Sequence, residues 1–94
     1  MYTKDTIVRN RSGIHARPAS TFVKESSKFQ SSITIANLDK PNTVPASTRS
    51  ILNVMMLAMT KGTHVRLSAE GEDEQLAVDT LVALIDSGLG EGIE

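Results

Sequence analysis

The sequence predicts an α+β domain of order βαββαβα, a four-stranded antiparallel sheet with three helices on one face. Three observations predict it. Apolar residues recur at helical spacing in three separate segments. Between them lie short stretches of period-two alternation, clearest at His64–Glu70, where Val65, Leu67 and Ala69 alternate with His64, Arg66 and Ser68. The chain of 94 residues carries enough apolar side chains for one core and therefore one domain, 1–94.

The elements follow in order. Residues 3–8 read as a first strand with Ile7 and Val8 as its strong β-formers, ended by the turn Asn10-Arg11-Ser12-Gly13. A helix spans about 17–28, because Ala19, Phe22, Val23 and Ser26 fall on one face. Lys24 and Lys28 suit its C-terminal half. Residues 32–38 form a second strand, with Ile33 and Ile35 opposite Thr34 and Ala36. After the breakers Asp39, Pro41 and Asn42, a short third strand is expected near Thr43 and Val44, where Pro45 confines it to an edge or ends it. Ser47 or Thr48 then caps a second helix running to about Met59 and closed by Lys61-Gly62. The fourth strand is 64–70. The last helix opens at Gly71 with Glu72, Asp73 and Glu74 at its positive end, buries Val78, Leu81, Val82 and Ile85, and stops at Gly88.

Composition excludes several classes of function. No cysteine means no disulfide and no thiolate metal site. Tyr2, Phe22 and Phe29 are the only aromatics, so the core is aliphatic with methionine as filler. The N-terminus lacks the charged-then-apolar pattern of a secretory signal, and the longest apolar run, 54–59, is far too short to insert in a membrane. A cytoplasmic protein is expected. A formal net charge of −1, without a basic stripe or aromatic platform, argues against nucleic acid. His64 has no second ligand at metal spacing, and the acidic cluster at 70–74 lacks a calcium-loop pattern, so neither a metal nor a cofactor is expected.

The chemistry concentrates in Gly13-Ile14-His15-Ala16-Arg17-Pro18-Ala19-Ser20. Imidazole is partly neutral near pH 7 and can attack phosphorus without a strong base. Arg17 supplies a permanent charge and a fork of donors matched to phosphate oxygens. Pro18 belongs in the first turn of a helix, where its missing N–H costs nothing. The candidate caps, Ala16 and Arg17, carry no acceptor oxygen. The orphan amides around Ala16, Pro18, Ala19 and Ser20 are thus left for an anion. His15 is the candidate phosphoryl acceptor and Arg17 its clamp.

That segment resembles the active-site stretch of the histidine-containing phosphocarrier protein (HPr) family, part of the phosphoenolpyruvate-dependent phosphotransferase system. A second segment, Ser50-Ile51-Leu52-Asn53-Val54-Met55-Met56-Leu57, also resembles the family. The resemblance covers nearly the whole chain. It implies an open-faced sandwich and a phosphoryl carrier, not an enzyme in its own right. By resemblance, the Nδ1 atom of His15 accepts phosphate from enzyme I and passes it to enzyme II (EIIA) components. The matching serine is a regulatory phosphorylation site in some bacteria, which implies for Ser50 an HPr kinase/phosphorylase and a transcriptional regulator as further partners. An ordinary helix-start serine is the competing reading of Ser50. The helix it opens carries Ile51, Leu52, Met55 and Met56, more apolar surface than a short helix must bury. Ile51, Leu52 and Met55 are candidates for partner docking, with Ile51 expected outward and Leu52, together with Met55 or Met56, inward. The connection from His15 to Ser50 is several residues longer than in sugar-branch members, and Asn53 stands where the family usually has Gly. The longer connection resembles the nitrogen-branch relative, an alternative with the same chemistry and other partners. A regulatory module acting through the second helix is a further alternative. A monomer is expected.

Overall fold

Among the described residues, 1–92, the computed structural model holds seven elements in the expected order. The last two positions of the expected 1–94 domain lie outside the described residues. The elements are β1 (Tyr2–Ile7), α1 (Arg17–Ser26), β2 (Ser32–Asn37), β3 (Ala46–Ser47), α2 (Ile51–Met56), β4 (His64–Glu70) and α3 (Glu74–Asp86). The sheet is antiparallel, in the order β1-β4-β2-β3. β4 lies between β1 and β2, with Tyr2 opposite Ala69 and Ile33 opposite the same Ala69 on the other side.

One sheet face is apolar because alternate residues point the same way. Ile33, Ile35, Val65, Leu67 and Ala69 are all buried there, against Ala19 and Phe22 of α1 and Ala77, Val78, Leu81 and Ile85 of α3. Burying a side chain such as Phe22 contributes about 1.5–3 kcal/mol. The other face is wet. A row of hydroxyl residues, Thr3, Ser68, Thr34 and Ser47, runs across all four strands, and Thr3 donates to Ser68 at 3.1 Å. Asp5 and Arg66 pair beside it through two bonds of 2.7 and 3.0 Å. Ser26, placed on the apolar stripe of α1, is buried, and its hydroxyl donates to the carbonyls of Val23 and Thr48.

Several boundaries differ from expectation. β3 is Ala46–Ser47, not Thr43-Val44, because Pro45 has no N–H and ladder pairing starts only beyond it. Val44 is instead 80% exposed. The cap of α2 is Ser50, not Ser47 or Thr48. Ser47 is still paired in the sheet, and the Thr48 N–H still donates to the Ile33 carbonyl at 3.0 Å, so neither reaches the helix mouth. α2 also stops at Met56, well short of Met59. Its last turn tightens through Leu57 N–H to Val54 and Ala58 N–H to Met55, and Ala58 then turns left-handed at φ 51°. Met59 continues the apolar pattern because it enters the core from the following loop. α3 starts at Glu74, three residues after the expected Gly71, because residues 71–73 form a turn in which the Glu74 N–H donates to the Gly71 carbonyl at 3.3 Å; the remaining boundaries shift by no more than two residues.

Candidate functional site

The chain between β1 and α1 is held at several points before it reaches His15. Val8 extends the β1 pairing through its N–H to Thr63 and its carbonyl to Gly62. Asn10 is wholly buried and donates to the Gly13 carbonyl at 2.8 Å. Gly13 adopts φ +68°, and a Cβ there would lie 2.3 Å from the Met59 carbonyl oxygen, so only glycine fits. The next residue, Ile14, is buried and donates its N–H to that carbonyl at 2.9 Å. His15 follows and is exposed. The buried Ile14 before it and the buried Pro18 after it leave the histidine on a short, fixed backbone.

Ala16 is the N-cap of α1, with φ 54° and ψ −124°, and no side chain caps the helix among the described residues. A non-glycine residue at this positive φ is strained, at a cost of about 1–3 kcal/mol. Pro18 carries no N–H, and the Ser20 N–H is taken by the Ala16 carbonyl at 3.0 Å. Of the expected phosphate-binding positions, Ala16 and Ala19 therefore keep backbone donors, Arg17 adds its own, and Ser20 retains only its hydroxyl. The side chains of His15 and Arg17 make no hydrogen bond or ion pair among the described residues. An exposed imidazole and a guanidinium, each without a partner among the described residues, flank an uncapped helix mouth. Such a mouth favours negative charge.

Arg17 lines a shallow depression with Arg11, Thr21 and the C-terminal segment from Leu89 to Gly92. Sequence reasoning missed that segment. Leu89 is buried at φ 53°, and the Glu91 N–H donates to the Gly88 carbonyl at 2.9 Å. The Glu91 carboxylate accepts from Asn10 Nδ2 at 2.8 Å, from the Ser12 N–H at 3.2 Å and from Ser12 Oγ at 2.8 Å. The bonds from Asn10 and Ser12 hold its pKa below the usual value, with the charge of Arg11 assisting. The available signal was the spacing Gly88-Leu89-Gly90-Glu91-Gly92, one apolar and one acidic residue among three glycines.

The second candidate region is α2, which packs against α1. Ser50 Oγ accepts from the Asn53 N–H at 3.3 Å and so closes the helix mouth. The apolar side chains do not divide as expected. Ile51 is outward, but Leu52 and Met56 are 66% and 70% exposed, Met55 is half-buried, and Val54 is the buried residue. A helix of six residues has one inward position per turn, and Val54 occupies it. His64 is exposed and pairs with Asp39 at 3.1 Å. No helix among the described residues is long and apolar enough to cross a membrane.

Residues 2–87 match the family model described as PTS HPr component phosphorylation site. The phosphocarrier protein HPr of Haemophilus influenzae is 47% identical over 85 residues, which cover 90% of this chain and 95% of that protein. A multiphosphoryl transfer protein of the same organism is 40% identical over 85 residues, but the chain spans only 17% of its length. The solved structure of HPr from Thermoanaerobacter tengcongensis superposes with a TM-score of 0.89 at 39% identity, covering 99% of this chain and all of that one.

Proposed function

The chain belongs to the HPr family of phosphocarriers of the phosphoenolpyruvate-dependent phosphotransferase system, and from that premise we propose that His15 is the residue that carries the phosphoryl group. A lone pair on the exposed imidazole attacks the phosphorus held by the phosphohistidine of enzyme I. A new N–P bond forms at His15 as the donor's N–P bond breaks and returns its electron pair to the donor nitrogen; His15 gives up the proton of its other ring nitrogen and the donor ring gains one, so both rings end neutral. Handing the group to a histidine or cysteine of an enzyme II component reverses the roles. The observation that carries this reading is an exposed histidine, free of protein partners among the described residues, before a helix whose first amides are uncapped.

The remaining residues fall into place around that transfer. Arg17 and the amides of Ala16, Arg17 and Ala19 meet the incoming charge. A helix mouth contributes about 0.3–1 kcal/mol at an exposed site. That strength suits a carrier, which must release what it binds. The chemistry is mostly alignment and charge stabilisation, which the partner enzymes complete, so this chain acts as a carrier and not as a catalyst by itself. Ile51, Leu52 and Met56, exposed on the helix packed against α1, form the docking face for enzyme I and EIIA, with Met55 at its edge. Ser50 is a regulatory phosphate acceptor for a dedicated kinase. A phosphate there adds roughly −1.5 to −2 charges at the head of that docking face. The setting is cytoplasmic and the carrier monomeric.

Labelling with radioactive phosphoenolpyruvate and enzyme I tests the reading. The wild type is expected to take up acid-labile label and His15→Ala none. Undiminished labelling of the variant would exclude His15.

A further inference from the structure

The C-terminal segment is bonded into the turn that presents His15, across 81 residues of sequence. We propose that Glu91 is a positioning residue for phosphoryl transfer, its carboxylate clamping turn 10–13 and thereby fixing the backbone on which His15 is displayed. This rests on the reading of His15 as phosphoryl acceptor.

The geometry is that of a clamp, not of an incidental surface contact. One carboxylate oxygen accepts from both Asn10 Nδ2 and the Ser12 backbone, and the other accepts from the Ser12 hydroxyl. An ionised carboxylate is acceptor-only and can take all three donors at once, which an amide cannot. Asn10 is the hinge of the arrangement. It is wholly buried, and its Nδ2 divides its two hydrogens between the Gly13 carbonyl and Glu91, while its Oδ1 has no partner. That amide orientation is favourable only while both acceptors are present. Without the carboxylate, a buried donor and a buried acceptor are both unsatisfied, and the Gly13 carbonyl loses the reason for its bond to Asn10. Gly13 lies two residues before His15, so a loosened turn is felt at the ring.

The segment is built to deliver this side chain. Gly88, Leu89, Gly90 and Gly92 all have positive φ, and a Cβ on Gly88 would lie 2.5 Å from the Gly92 backbone. Leu89, a non-glycine residue in the left-handed region, is buried and anchors the fold-back. Glu91 also lies on the wall of the depression that Arg17 lines. Its oxygens are engaged by the turn, and the guanidinium of Arg17 is left without a carboxylate partner among the described residues.

The test compares Glu91→Gln and Glu91→Ala with Asp73→Asn in the full chain. Asp73 accepts from Gln30 and Ser31 at the other end of α1 and serves as a matched clamp away from the site. Amide exchange at Ser12, relaxation of the His15 ring by NMR, and kcat and KM for transfer from enzyme I are measured. Both Glu91 variants are expected to speed Ser12 exchange and to lower kcat roughly three- to tenfold with KM little changed. Asp73→Asn is expected to change neither. Unchanged Ser12 exchange, or faster exchange with an unchanged kcat, overturns the proposal. If the wild type takes up no label from enzyme I, the carrier reading fails, and Ser12 exchange with His15 ring ordering still decides whether Glu91 holds the turn.

Discussion

The two helices that pack together at the candidate site begin in opposite ways. α2 starts at Ser50, extended at φ −110° and ψ 103°, with its hydroxyl closed onto the Asn53 N–H. α1 starts at Ala16, forced to φ 54°, with no side-chain cap. Serine is among the best caps and alanine among the worst, a difference of about 1 kcal/mol. The fold takes that stabilisation at α2 and forgoes it at α1. The lesson is local: a helix mouth whose own residues satisfy its amides has little left for a ligand, and one that leaves them open next to an exposed histidine can meet an anion.

The sharpest way to probe the difference is Arg17→Lys. It keeps the positive charge at the open mouth and removes the planar fork. Transfer from enzyme I is expected to slow by about tenfold or more, the worth of one charge-assisted hydrogen bond at about 1.5–3 kcal/mol. Thermal unfolding is expected to be unchanged, since Arg17 holds no protein partner among the described residues. An unaltered rate would show that the fork is idle. Next in size is Ser50→Ala, which makes the closed mouth resemble the open one. It is expected to cost about 1 kcal/mol and to lower Tm by about 4–8 °C, with little effect on transfer. A normal Tm would mean that the Ser50 cap is worth nothing in this context. The smallest effect is expected from Ala16→Gly. Glycine removes a positive-φ strain of about 1 kcal/mol, the lower end of the usual range, and adds back an unfolded-state entropy cost of about 0.5–1 kcal/mol, so the two nearly offset. Tm is expected to rise slightly, against the usual direction of such a change. A fall would show that Ala16 is not under strain.

What could be read in advance followed the range of the interaction. The β4 alternation from His64 to Glu70 is repeated in the side chains the structure buries, because strand period and one-sided burial act residue by residue. The open mouth of α1 was also legible, since Ala16, Arg17 and Pro18 are adjacent and their propensities act locally. The start of α2 was not. Ser47 and Thr48 are equally good caps in isolation, and sheet pairing as far as Thr48 displaced the start to Ser50. Leu52 was expected inward from its place in an apolar run, but Val54 is the residue that α2 turns inward, and Leu52, two residues away, falls on the opposite side of the helix.

By itself, then, the sequence determined the element order, the aliphatic core and the neighbourhood of His15, because periodicity, turn chemistry and capping depend on residues a few positions apart. Tertiary structure alone decided which apolar side chains of α2 face outward, and it alone brought Glu91 onto Asn10 and Ser12. The reason is physical: a bond between groups 81 positions apart depends on how the whole sheet and α3 return the chain, and no local preference of either residue encodes it.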